Sequence, residues 1–303
     1  MLDWNRWQFE PGIIVGLLVL TAAYVLAATR YRARLLALGG PPPRWQPPGS
    51  LGPERPGALS PWQAAAFFTA TLVVALALLS PLHTIGERYL LSAHMVQHLL
   101  LTLVVPPLWL MGTPGWMLRP LLRIRFVRRV GAGLLTPLPA FFLFNAILLI
   151  WHVPALYELG LTSEPVHALE HASFLAFGLL TWWPVVGPLP EFPRLPYGAQ
   201  VLYLFFESLP PTILGALISL AEIPLYPTYW SAPRITPLSP LDDQQLGGLI
   251  MWLPGALAYF IALSIVFFLW LERQEAAHEA PYGRINPNRA KREQGSDHPA
   301  VLR

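Results

Sequence analysis

The chain has 303 residues, of which 54% are hydrophobic and 12% charged, with a mean hydropathy of +0.46. That charge content is about half the globular average, which excludes an ordinary soluble domain and fits a polytopic membrane protein. The net charge of +3 does not indicate a nucleic-acid partner, because the basic residues lie in short segments between apolar runs rather than on one face. With no cysteine, disulfides, thiolate ligands and redox dithiols are excluded as well.

Apolar runs near the length that a bilayer requires predict an all-α transmembrane bundle of seven spans: 12–29, 61–80, 92–111, 134–153, 166–186, 198–221 and 246–271. Together they make residues 1–271 one membrane domain. The positive charges around the first run follow it instead of preceding it, so it reads as a retained helix and not a signal peptide. Pro41–Pro56, in the cytoplasmic loop 40–60, is proline-rich and predicted to be extended. Pro106 and Pro107 fall inside the third span and should kink it, with neighbouring groups satisfying the freed carbonyls. Glu207 lies near the middle of the sixth span, either as a functional intramembrane acid or as a hydrogen-bonding group within the bundle. The segment 222–243, rich in Tyr, Trp and Pro, suits an ordered cap at the interface. Gly247 and Gly248 allow close helix approach. Residues 272–303 read as a polar tail without stable structure.

Lys and Arg set the orientation. Seventeen of the twenty follow the first, third, fifth and seventh spans; Arg6, Arg88 and Arg234 are the rest. This predicts an outside N-terminus and a cytoplasmic C-terminus, in a multi-pass protein of the cytoplasmic membrane.

On that topology six of the eight histidines fall on the outer side. His83 follows the second span, His94 and His98 open the third, His152 closes the fourth, and His167 and His171 open the fifth. His278 and His298 lie in the tail. His94/His98 and His167/His171 are four apart, so each pair shares a helix face. A single interfacial histidine is ordinarily just a hydrogen-bonded side chain; six on one side indicate a metal or haem site. Imidazole suits copper, zinc, iron and nickel. Met95 does not share the His94/His98 face and reads as packing. Glu87, Glu170, Asp242 and Asp243 could orient the rings as hydrogen-bond acceptors.

Two other readings compete. Bis-histidine haem needs one imidazole from each of two helices, although such sites usually lie deeper in the bilayer. His167-Ala-Leu-Glu170-His171 fits the H-x-x-E-H pattern, in which two histidines bind zinc and the glutamate is a general base. The pattern fixes only three residues, and no distal ligand is identifiable by spacing.

The segments SPLHTIGERYLLSAHMVQHLLLTLVVPPLWLMGTP, WHVPALYE, HALEH and DQQLGGLIMWLPG, in this order, resemble the CtaG-like assembly factors of caa(3)-type cytochrome c oxidases, polytopic proteins with a seven-helix core. The resemblance covers about 60–271. It places signature positions at His83, His94, Gln97, His98, Trp151, His152, His167, Glu170, His171, Asp242 and Gln244. It implies a non-enzymatic metallochaperone that helps copper reach the apo catalytic subunit of the oxidase from the outer side, supplied by an extracytoplasmic copper donor. On this reading His94, His98, His152, His167 and His171 form the inner ligand set. His83, expected in a loop without an i+4 partner, is the outlying member.

Overall fold

The computed structural model describes residues 7–39 and 59–282; most of the proline-rich loop and the end of the tail lie outside them. Among the described residues every regular element is helical and no strand occurs. The first helices are α1 (Pro11–Ala28), α2 (Arg32–Gly39), α3 (Pro61–Leu79) and α4 (Pro81–Arg88). A broken rod follows: α5 (Leu91–Leu99), a π-helical turn (Leu100–Val104) and α6 (Val105–Gly112). Then come α7 (Gly115–Leu118), α8 (Arg125–Leu134), α9 (Pro137–Trp151), α10 (Pro154–Thr162), α11 (Glu164–Val186), α12 (Tyr197–Ser219), α13 (Pro227–Ser231) and α14 (Pro240–Tyr282). Prolines open α1, α3, α4, α9 and α10, where the missing N–H costs nothing and the fixed φ suits the first turn. Ser60 adds a capping box with Gln63 at the start of α3.

Five helical segments are long and apolar enough to cross a membrane: α1, α3, the rod Leu91–Gly112, α12 and Pro240–Glu275. The pair α8–α9, bent by 81°, makes a sixth if counted as one span. Large apolar side chains such as Leu72, Phe142, Leu217 and Phe260 point outward, as lipid-facing surface requires. The expectation of seven comparable spans is met only in part, for two reasons. Arg125, Arg128 and Arg129 lie on one side of α8, which turns away from α9. Helix α11 has the length, with 23 residues, but its first turns carry His167, Glu170 and His171 in place of apolar residues.

The kink expected at Pro106 and Pro107 takes the form of the π-helical turn just before them. Pro106 cannot donate to the Thr102 carbonyl, and the indole N–H of Trp182 donates to it instead at 3.0 Å. A Cβ at Gly178 would lie 2.8 Å from Pro106 Cγ, so glycine lets α11 pack directly on the kink. Helices α12 and α14 approach as closely: a Cβ on Gly215 would lie 2.8 Å from the Gly248 carbonyl. Helix α14 continues past the expected end of its span, so residues 272–282 are helical and not part of an unstructured tail. Helix α1 is held at the periphery, where Tyr24 stacks on Phe67 with centroids 3.7 Å apart and donates to the Gly112 carbonyl.

Candidate metal centre

Four elements bring the six histidines together. Helix α4 supplies His83, α5 supplies His94 and His98, the end of α9 supplies His152, and α11 supplies His167 and His171. All six are buried. Close backbone approach makes this possible: a Cβ on Gly86 would meet the His94 backbone at 3.1 Å, so glycine lets α4 lie against α5. The i, i+4 pairs do share faces, with ring centroids 4.3 Å apart for His94/His98 and 4.2 Å for His167/His171.

Nitrogens of His94, His98 and His171 lie within 4.8 Å of one another. Three nitrogens bound to one ion at about 2 Å are about 3.5 Å apart or less, so from this spacing each ring would move inward by under about 1 Å to close a three-imidazole site. Two further groups meet the same criterion: His83/Glu87/His167 and His94/His167/Glu170. His152 joins none of these three groups, but its ring lies 5.6 Å from that of His98. The Nε2 atoms of His94, His98, His152, His167 and His171 are all buried without a hydrogen-bond partner. Buried polar nitrogens are normally satisfied, so five such unpartnered atoms on neighbouring rings form a donor set suited to a cation.

The other ring nitrogen is held in several cases. His152 Nδ1–H donates to the Leu148 carbonyl at 2.7 Å, and His167 Nδ1–H donates to Glu87 Oε1 at 2.7 Å. His94 Nδ1 lies 2.7 Å from the Tyr157 hydroxyl. Tyr157 lies 3.2 Å from the Tyr229 hydroxyl, which donates to the Gly86 carbonyl at 2.6 Å. Hydrogen bonds donated from His94 Nδ1 to Tyr157, from Tyr157 to Tyr229 and from Tyr229 to the Gly86 carbonyl assign the proton to Nδ1 and leave the buried His94 Nε2 with its lone pair. Burial raises both tyrosine hydroxyls well above their usual pKa, which keeps them protonated and able to donate. In each case one nitrogen is anchored and the other presented, as metal-binding histidines require.

His83 behaves differently. Gln97 Nε2 donates to the Ala77 carbonyl at 3.0 Å, which fixes the amide orientation, and it also donates to His83 Nδ1 at 2.9 Å. The His83 proton is therefore on Nε2, 3.4 Å from Glu87 Oε1. Burial lowers the His83 pKa below 6.5, with His167 adding to the effect and Glu87 opposing it. Burial pushes the Glu87 carboxyl up, but the His167 hydrogen bond and the charges around it outweigh this and hold it below the ordinary value.

The supporting residues separate. Glu170 is 1% exposed and lies 3.4 Å from His98 Nε2, too far for a hydrogen bond. A Cβ on Gly160 would sit 2.9 Å from its Oε2. Asp243 accepts from the Leu91 and Ser92 amides and the Ser92 hydroxyl, so it anchors the start of α5 without reaching a histidine. Gln244 accepts from Leu225 N–H and donates to the Ile223 carbonyl, tying down the cap. Asp242 is bonded to Ser239 at the start of its own helix and does not reach the cluster. Glu207 bonds within the bundle, where its Oε1 accepts from Thr181 at 2.6 Å and Asn145 at 3.2 Å. Met95 is fully buried among apolar residues. Sequence reasoning missed Tyr157 and the individual role of Tyr229. The aromatic character of 222–243 was the available signal, and that segment is an ordered cap pinned by Glu158 to Thr228 and by Arg234 to the Tyr229 carbonyl.

The sequence model of the cytochrome c oxidase caa3 assembly factor family matches residues 22–273, which includes every residue of the cluster. The chain belongs to this family. It is 25% identical over 206 residues, 62% of the chain, to an uncharacterized protein of Mycobacterium bovis, and 24% identical over 285 residues, 87% of the chain, to one of Mycobacterium leprae. The chain spans 31% and 39% of the length of these relatives. No solved structure matches it significantly.

Proposed function

We propose that this assembly factor binds copper transiently at the histidine cluster and helps deliver it to the catalytic subunit of a cytochrome c oxidase in the cytoplasmic membrane. The observation that carries the reading is the close approach of His94, His98 and His171, with nitrogens within 4.8 Å of one another and each Nε2 buried without a partner. Neutral imidazoles without thiolate form an exchangeable donor set, suited to a cargo that must be released. The ion is a substrate here, and the protein's task is to present, enclose and give up nitrogen ligands. In this reading α9 and α11 both cross the membrane, giving seven spans. The asymmetry of Lys and Arg puts the N-terminus and the cluster outside, where an extracytoplasmic donor could load it and an apo-oxidase could receive from it laterally.

Copper is favoured over the other readings on two grounds. The cavity beside His98 measures about 20 Å3, space for a water and far less than a macrocycle fills. Glu170, the general base of a peptidase reading, is enclosed beyond the reach of a peptide bond. The test is copper analysis of the purified protein, together with the copper content of the oxidase in cells carrying His94→Ala/His98→Ala. Uptake by the native protein and a copper-poor oxidase in the variant are expected. No uptake, with unchanged oxidase copper, would overturn the reading.

A further inference from the structure

The cluster has an enclosed part and a part open to solvent, and one ring belongs to both. His94, His98 and His171 are 0%, 3% and 5% exposed. In the group His83/Glu87/His167, the Glu87 side chain is 22% exposed. His167 joins the two parts. Its Nδ1 lies 2.7 Å from Glu87 Oε1, while its Nε2 is buried and unpartnered. It also forms a candidate group with His94 and Glu170. Its ring stacks on His83 at 5.3 Å with planes 6° apart and lies 4.2 Å from His171 on the other side.

We propose that His83, Glu87 and His167 form a port that captures a copper ion from the aqueous side, and that the His167 ring passes it to the enclosed His94–His98–His171 site. The proposal rests on the copper-handling reading above and adds a direction to it. A charged carboxylate attracts a cation that three neutral imidazoles alone would draw only weakly. At the port the ion binds the Glu87 carboxylate, while His167 keeps its proton on Nδ1 beside that carboxylate and His83 keeps its own on Nε2. Ligation inside uses the His167 Nε2 lone pair, already without a partner, so the ion passes from carboxylate to imidazole and no proton is transferred. The ring's part in the transfer leaves its proton count unchanged, and the ion keeps its oxidation state. Gln97 orients His83 by donating to its Nδ1, so the Nε2 edge faces Glu87 throughout.

The alternative is that Glu87 only orients His167 as a ligand of the inner site. The two differ in what Glu87→Gln changes, since glutamine can still accept from His167. The experiment mixes purified full-length protein with Cu(I) held by a weak chelator, and measures both the uptake rate and the final affinity. For Glu87→Gln, and for His83→Gln as a second variant, uptake should slow about tenfold or more with affinity within about threefold of native. Glu164→Gln, an exposed carboxylate one turn before His167, should leave the rate unchanged. Loss of affinity on the 10–100-fold scale of orienting residues without a slower rate would overturn the port. An equal slowing in Glu164→Gln would also overturn it, because general surface charge would then account for the effect. Failure of the native protein to bind Cu(I) would instead overturn the copper reading beneath it.

Discussion

Two buried polar groups in this bundle can be compared directly. Around Glu207, one carboxylate oxygen receives hydrogen bonds from Thr181 and Asn145, and Tyr203 donates to the Thr181 carbonyl. Around His98, five imidazole Nε2 atoms from α5, α9 and α11 are buried without partners, and nitrogens of His94, His98 and His171 lie within 4.8 Å of one another. Burying a polar group is tolerable when the protein supplies the bond and costly when it does not. In the first group Glu207 Oε1 is bonded within the bundle, and only Glu207 Oε2 and Asn145 Oδ1 are left without a partner. The second carries a surplus of lone pairs that the protein itself does not satisfy. Both were visible as polar residues in apolar helices, but only the second has the make-up of a ligand site.

That contrast orders the expected effects. The largest is on copper, through acid. Protons compete with the metal for imidazole nitrogen, so occupancy is complete above the ring pKa values and falls as the pH drops through them. Burial lowers the pKa of His83 at the edge of the cluster, so copper should be kept at neutral pH and lost on acidification, as measured by copper retention after equilibration across a pH series. Release already complete at neutral pH would place the copper elsewhere. Next comes Gly160→Ala. The added methyl would displace the Glu170 carboxylate from its position 3.4 Å from His98, with a loss of copper affinity of about tenfold, the lower end for a residue supporting a metal ligand. Trp182→Phe removes the donor to the Thr102 carbonyl. It should lower stability by about 1–3 kcal/mol, read as a lower thermal midpoint in detergent, with copper binding retained. Glu207→Gln should change copper affinity least of all. A strong effect there would erase the distinction between the two groups.

How much of this was legible in the chain follows the physics. Apolar runs reported the helices well, because bilayer thickness dictates their length. They are confirmed as spans least well at α8–α9 and α11, where a bend and a functional face dilute the apolar signal. Spacing four apart placed His94 with His98 and His167 with His171, since that geometry lies within one helix. His83 was expected in a loop and as an outlier. It is in α4, beside Glu87 and His167, because Gly86 and Gln97 bind α4 to α5, contacts between elements that no local pattern encodes. Asp242 and Asp243 are neighbours in sequence, yet one caps its own helix and the other anchors α5. The tyrosines over His94 were hidden for the same reason, being brought there by the cap.

The central claim is that bare imidazole nitrogens from several helices converge on one copper ion. X-ray absorption spectroscopy of the copper-loaded, purified protein tests it most directly. A first shell of nitrogen scatterers with the outer-shell signature of several imidazoles, lost in His94→Ala/His98→Ala, is the expected result. A sulfur scatterer from methionine, or a spectrum unchanged by those substitutions, would contradict it.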